Sequence, residues 1–300
     1  MSSLRRPADR YELRPVDGVH VAAADQVSRR AFADLGSRLG MDWPDPPEEE
    51  RARRGRARIL HLIETDPNGA WGAFAGDEIV GLSLAILRDG LWGLSLLVVD
   101  PPHQSSGVGR QLLTRALGYC GGCRGGMIVS SADPRALRAY ATSGFAVHPF
   151  ALALGRPHRE RIPAGLDVDA DGEPDLELVD AIDRRIRGAS HRPDLPAILD
   201  AGGRFLKVAG EQGRGYAIVD NGPKLLAATT PEVAQRLLWT ALALSVDDAI
   251  TLVGHLDARQ QWAFPVVLEA GLELMPHLGA LMLRGDVGEL APYLAHGAYL

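Results

Sequence analysis

The chain has 300 residues, 46% of them hydrophobic and 23% charged, with a formal net charge of -6. That length suits two domains of ordinary size better than a single core, and the composition is that of a soluble globular protein. The acidic balance argues against nucleic acid or an anionic membrane as the main partner. No apolar run reaches membrane-spanning length, and no signal-type apolar segment follows Met1. Two cysteines cannot make a disulfide framework, and a cytoplasmic protein is the expectation.

In chain order, residues 11–14 read as a short strand. Residues 19–39 read as an amphipathic helix with Val21, Ala24, Val27, Ala31 and Leu35 on one side. The prolines after Met41 make a loop that holds Asp42 and Trp43. The run from Glu48 to Arg56 puts acids before bases at helical spacing, the pattern of a solvated helix face with i, i+4 pairs rather than of a nucleic-acid patch. Residues 70–75 and 79–87 form two strands joined across Gly76-Asp77, a hairpin signal.

The most informative stretch follows. Leu91 to Val99 is an apolar strand of buried type, stopped by Pro101-Pro102. A turn with Gly107 and Gly109 then leads into a helix with Val108, Leu112, Leu113, Ala116 and Leu117 on one face. Such a turn leaves the first amides of the helix bare, and the helix dipole favours an anion there. The glycines let a ligand approach the backbone, and Arg110 can add charge. Neither the nucleotide P-loop nor the dinucleotide G-x-G-x-x-G turn is present.

Val99-x-Pro101-x-x-Gln104-x-x-Gly107-x-Gly109 resembles the acetyl-CoA signature of the GNAT N-acetyltransferases. The resemblance implies that the amides of Ser105, Ser106, Gly107, Val108, Gly109 and Arg110 hold the CoA pyrophosphate, with Gln104 opening the turn. It also implies that the backbone of Leu97, Val98 and Val99 pairs with the pantetheine arm as an added strand would. Further on, residues 127–130 read as a strand and Asp133-Pro134 as a helix start, with Asp as N-cap and Pro at the first position. Asp133-x-x-Ala136-x-x-x-Tyr140-x-x-x-Gly144-Phe145 is similar to a second GNAT hallmark, with Asp in place of the commoner Asn. That match puts Asp133 at the cofactor and gives Tyr140 a chemical task, protonation of the CoA thiolate as it leaves. The first two helices and their loop form the acceptor wall in the family, which makes Trp43, Asp42 and His61 candidate acceptor contacts. No Glu lies on the strand 91–99 to act as base, so Glu64, His61 or a water chain is left for that role.

Two other patterns carry less chemistry. Cys120-Gly-Gly-Cys123 has redox or half-zinc spacing, but no second cysteine pair or histidine cluster completes a metal site, and ordinary reduced thiols in a turn are expected. Asp167-x-Asp169-x-Asp171-Gly172 copies half of a calcium loop. Pro174 interrupts it and Leu178 stands where the bidentate Glu belongs, so no metal is expected and the segment reads as a linker.

The pattern of elements recurs after residue 156. Residues 174–186 read as a helix, 204–209, 216–219 and 224–228 as strands, 231–244 as a helix, and 249–254 as a strand before a helix ending near Gly271. Gly144 and Pro149 fall in register with Gly271 and Pro276, a sign of duplication. In the second copy Ala228-Thr-Thr230-Pro-Glu232 replaces the glycine turn, and Val267 stands where Tyr140 would be repeated. The whole chain thus resembles a tandem GNAT protein. The expected class is α/β, layered α+β, with two domains at 1–156 and 157–300, each a mixed, mostly antiparallel sheet flanked by helices. The first is expected to bind acetyl-CoA and to be catalytic, the second to be degenerate.

Together these readings predict an N-acetyltransferase that uses acetyl-CoA as cosubstrate, without metal, on a small amine, working as a monomer or homodimer. The alternatives are a non-catalytic acyl-CoA sensor and transfer to a protein N-terminus or lysine.

Overall fold

The structure is a computed structural model that describes residues 11–40 and 47–300. Trp43 and Asp42, two of the acceptor candidates, lie outside the described residues. By contacts the chain divides into two compact units, Met1–Leu87 with Trp92–Cys123, and Arg88–Leu91 with Arg124–Leu300.

The first unit runs β1 (Glu12–Pro15), α1 (Val21–Leu39), α2 (Glu48–Thr65), β2 (Ala70–Ala75), β3 (Glu78–Arg88), β4 (Leu91–Val99) and α3 (Val108–Gly118). Its strands lie in chain order, with β1–β2 and β2–β3 antiparallel. Val108 and Leu112 of α3 pack on Ala73 and Val80. The close approach explains Gly81, whose missing Cβ would stand 3.0 Å from Leu112 Cδ1. Trp92 is fully buried and donates its indole N–H to Ala116 O at 2.9 Å, so the ring packs without an orphaned donor. On α2, Glu50 bonds Arg53 and Arg54, and Glu48 bonds Arg51, the pairing that the charge run implies. Hydrogen bonds from Arg53 and Arg54 hold the Glu50 carboxyl down at about 2.

The second unit contains β5 (Gly125–Ser131), α4 (Pro134–Thr142), β6 (Ala146–Gly155), α5 (Leu176–Ile186), α6 (Leu195–Asp200), β7 (Arg204–Gly210), β8 (Gly213–Val219), β9 (Pro223–Ala228), α7 (Pro231–Ala243), β10 (Thr251–Leu256), α8 (Phe264–Glu269), β11 (Glu273–Gly285) and β12 (Tyr293–Leu294). Its strands lie in the orders β5-β11-β6-β10 and β12-β9-β8-β7. The first order is an exchange. β11 stands between β5 and β6, and β6 stands between β11 and β10, so the last strand of each repeat is inserted beside the other's. The Gly/Pro match marks these two exchanged strands. They pair Ala146 to Phe150 against Leu283 to Gly279 and shift register between Met275 and Gly279, with Pro276 inside the irregularity, where a missing N–H is tolerated. Gly279 is required at the crossing, because a Cβ there would stand 2.2 Å from Ser130 O.

This exchange is why the compact units part at Cys123 and not at residue 156. β5 and β6 have β11 as a common neighbour, and that binds residues 124–156 to the second repeat. A buried ion pair adds to the unit: Arg88 Nε and Nη2 donate to Asp194 Oδ2 and Oδ1 at 2.8 and 2.7 Å.

The thiols expected to be reduced are instead joined as a Cys120–Cys123 disulfide, whose Cα atoms lie 5.2 Å apart. The turn after α3, with Gly121 and Gly122 in left-handed conformation, brings them within bonding reach. The half calcium loop is a capped turn. Asp169 accepts from the amides of Asp171 and Gly172 and lies 3.6 Å from Lys207 Nζ, while Asp171 accepts from Arg204. Among the described residues no helix is long and apolar enough to cross a membrane.

Candidate active site

The corner after β4 has the geometry of an anion cradle. Asp100 is buried and takes two hydrogen bonds from Arg30 of α1, 2.9 and 2.7 Å long, which fixes the start of the turn. His103 lies with Nδ1 3.1 Å from the Tyr11 hydroxyl, and Ser106 Oγ donates to His103 O at 2.6 Å. Gln104 Nε2 reaches back to Val99 O at 3.1 Å and ties the turn to the strand end. Its role here is to shape the loop.

Ser105 (φ 59°) and Gly107 (φ 89°) are both left-handed, and Gly107 is the residue that caps α3, with no side chain completing the cap. The first amide to find a backbone acceptor in this helix is that of Gln111, which donates to Gly107 O. Among the described residues the amides of 105–110 have no acceptor outside the helix, and no side chain fills the space beside Gly107. Six donors at or next to the positive end of a helix dipole are therefore left without a protein acceptor among the described residues. Gly109 lies with its would-be Cβ 3.5 Å from Val99 Cγ2, so it packs α3 against the strand end. Arg110 is exposed.

Tyr140 lies on α4 of the second unit and is 6% exposed. Burial, and then the charge of Asp133, pushes its phenol well above the ordinary tyrosine range. Its hydroxyl makes no hydrogen bond among the described residues. Asp133 caps α4, accepting from the Arg135 amide at 2.9 Å, and its carboxylate also takes two bonds from the Arg135 guanidinium. Its oxygens are thus engaged locally.

A family profile described as an acetyltransferase (GNAT) domain matches residues 56–150, a span that holds the cradle and Tyr140. The chain carries a GNAT acetyltransferase domain. Solved structures agree on the fold over nearly the full length. A putative acetyltransferase from Pyrococcus horikoshii superposes with TM-score 0.74 at 18% identity, covering 97% of this chain and 95% of that one. A GCN5-related N-acetyltransferase from Sphaerobacter thermophilus gives 0.55 at 16%, covering 93% and 96%. A tandem GNAT protein from the clavulanic acid biosynthesis pathway gives 0.55 at 15%, covering 93% and 99%. No curated protein sequence matches the chain. The fold is that of two tandem GNAT-like repeats.

Within the GNAT domain, β4 shows half-buried Ser95, Leu97 and Val99 alternating with buried Leu94, Leu96 and Val98. Ser95 Oγ is buried and has no hydrogen-bond partner among the described residues, which leaves it free to bond a ligand atom lying along β4. A lone serine in an apolar strand carries no sequence signal, and the reading from sequence passes over it. His61 and Glu64 both lie on α2, three residues apart, His61 half-buried and Glu64 exposed.

Proposed function

We propose that this GNAT protein transfers an acetyl group from acetyl-CoA to a primary amine by direct attack. The observation that carries the reading is the run of unpaired amides at 105–110, opened by a left-handed Gly107, at the start of α3. These donors suit the CoA pyrophosphate, and Arg110 adds a charge. The backbone of Leu97, Val98 and Val99, at the end of β4, is proposed to pair with the pantetheine arm as an added strand would. No metal is needed for the chemistry, and the domains 1–156 and 157–300 are the duplicated units, the first of them active.

In the reaction the amine nitrogen attacks the thioester carbonyl carbon, a C–N bond forms, and the C–S bond breaks. Positioning supplies most of the acceleration, and strand amides polarise the carbonyl. Burial, and then the charge of Asp133, raises the Tyr140 phenol above the ordinary tyrosine range, so the group faces the leaving sulfur as a neutral donor. Full proton transfer from so weak an acid to an ordinary thiolate of pKa about 8.5 is uphill. Its largest contribution is therefore a hydrogen bond to the sulfur while charge builds there, before solvent completes the protonation. The amine's proton leaves through Glu64, His61 or water.

The test is thiol release from acetyl-CoA across a library of amines. The reading requires turnover with at least one acceptor and its loss in Tyr140→Phe with CoA affinity retained. Tight CoA binding without thiol release for any amine would make the protein a sensor.

A further inference from the structure

In the second repeat the last strand of the chain lies against the strand that leads into the helix. β9 precedes α7 as β4 precedes α3, with β8 on one side. On its other side is β12, antiparallel, with Tyr293 opposite Ala227 and Leu294 opposite Leu226. The Ala228 amide continues the ladder by donating to Pro292 O at 3.2 Å. β12 also touches β10, and His255 of β10 has Nδ1 2.8 Å from Ala295 O. The tail therefore fills the fork between β9 and β10, strands that belong to different sheets.

It is held there by buried polar groups. Gln260 donates to Leu290 O at 2.7 Å and accepts from the Tyr293 amide and the Trp262 indole. The Tyr293 hydroxyl lies 3.2 Å from His191 Nε2, which is itself 2.6 Å from Leu300 O. On its other side, His191 Nδ1 lies 3.0 Å from Asp183 Oδ2, and Tyr216 donates to Asp183 Oδ1. Tyr293, Leu294 and Leu300 are all at most 2% exposed. A segment so packed is part of the core.

An extended peptide and the amide-bearing arm of an acyl-CoA ask the same thing of a strand edge, and one edge serves one of them at a time. We propose that the segment from Leu290 to Leu300 is the permanent occupant of the β9 edge, so that the second repeat takes up no acyl-CoA and each chain binds one. The inference rests on the reading that acyl-CoA lies along β4 in the first repeat. Thr230 points the same way, since it caps α7 by accepting from the Val233 amide where the first repeat leaves its helix uncapped.

The experiment is amide hydrogen exchange on the full chain with and without saturating CoA, together with the binding stoichiometry by calorimetry. Expected are one CoA per chain, slowed exchange at 97–110, and slow exchange at 226–228 and 293–294 that CoA leaves unchanged. Two CoA per chain, or a CoA-dependent change at 226–228, overturns the proposal. If CoA protects no segment, the first-repeat reading fails instead, and the tail is judged on variants alone. Leu294→Asp should raise exchange at 226–228 at least about tenfold, and the milder Tyr293→Phe, which removes only the hydroxyl facing His191, about threefold. Exchange at 226–228 indifferent to both variants overturns the occupancy.

Discussion

The corners after β4 and after β9 solve the same local problem in opposite ways. After β9, Thr230 caps the helix, Pro231 takes the first position and Glu232 sits in the first turn. Each of these devices stabilises a helix start. After β4 none of them is present: a left-handed glycine opens α3, no side chain caps it, and the first turn holds no acid. Leaving out a cap costs about 1 kcal/mol. What the difference teaches is that the groups that finish a helix also remove an anion site. The first repeat leaves its helix start uncapped, and the second caps it.

The sharpest way to break this contrast is to ask whether the first repeat turns over at all. Tyr140→Phe removes the hydrogen bond to the sulfur and should lower kcat by about 10²–10³-fold while CoA affinity stays unchanged. Equal losses in both would make Tyr140 a packing residue of α4. Next in size is the scaffold itself. Arg88→Ala leaves Asp194 buried without its guanidinium partner and should destabilise the second unit by about 3–5 kcal/mol, read by denaturant unfolding. A loss under about 1 kcal/mol would mean that water reaches the pair. Gly107→Ala then tests the cradle directly. A left-handed φ costs an L-residue about 1–2 kcal/mol, and relaxation of the turn would move the amides, so CoA should bind about tenfold more weakly.

Much of the candidate site is legible in the sequence because it is local. The proline stop, the two glycines and the helix they open fall within a few residues, and so do Asp133 and Tyr140. The duplication is legible in one place, where Gly144 and Pro149 echo Gly271 and Pro276, the two strands that the fold exchanges. The exchange itself is not. It pairs residues more than a hundred positions apart, and a periodicity of two names a strand without naming its neighbour. β12 has two residues and α6 has six, too few for a pattern. The Arg30–Asp100 and Arg88–Asp194 pairs join charges 70 and 106 positions apart, each bland in its own segment. The cysteine spacing is plain in the sequence, but whether the sulfurs are bonded depends on a turn geometry that the spacing alone does not fix.

Acid sharpens the comparison on the scaffold side. Burial alone would raise the Asp183 carboxyl, but His191, Arg187 and the Tyr216 hydroxyl outweigh it and hold the group below the ordinary range. A depressed carboxyl contributes stability above its unfolded pKa of about 3.9 and loses it as the pH falls through the lower folded value. The second unit should therefore weaken as the pH drops below about 4, and its tail amides at 293–294 should begin to exchange with it. Asp183→Asn should flatten that acid limb. An unchanged pH profile in the variant would assign the acid sensitivity elsewhere.

The smallest effect concerns the Cys120–Cys123 bond, and it separates stability from the site. The loop it closes is short, so the chain entropy it removes from the unfolded state is worth at most about 2 kcal/mol. The bond lies past the C-terminal end of α3, and the bare amides are at the other end of a helix of 11 residues, about 16 Å along its axis. Reduction, or the pair Cys120→Ser with Cys123→Ser, should lower the unfolding midpoint slightly and leave CoA affinity within about twofold. A large loss of CoA binding on reduction would mean that the turn after α3 sets the helix's position on its sheet, and the corner after β4 would then depend on a redox state that the second repeat has no means to share.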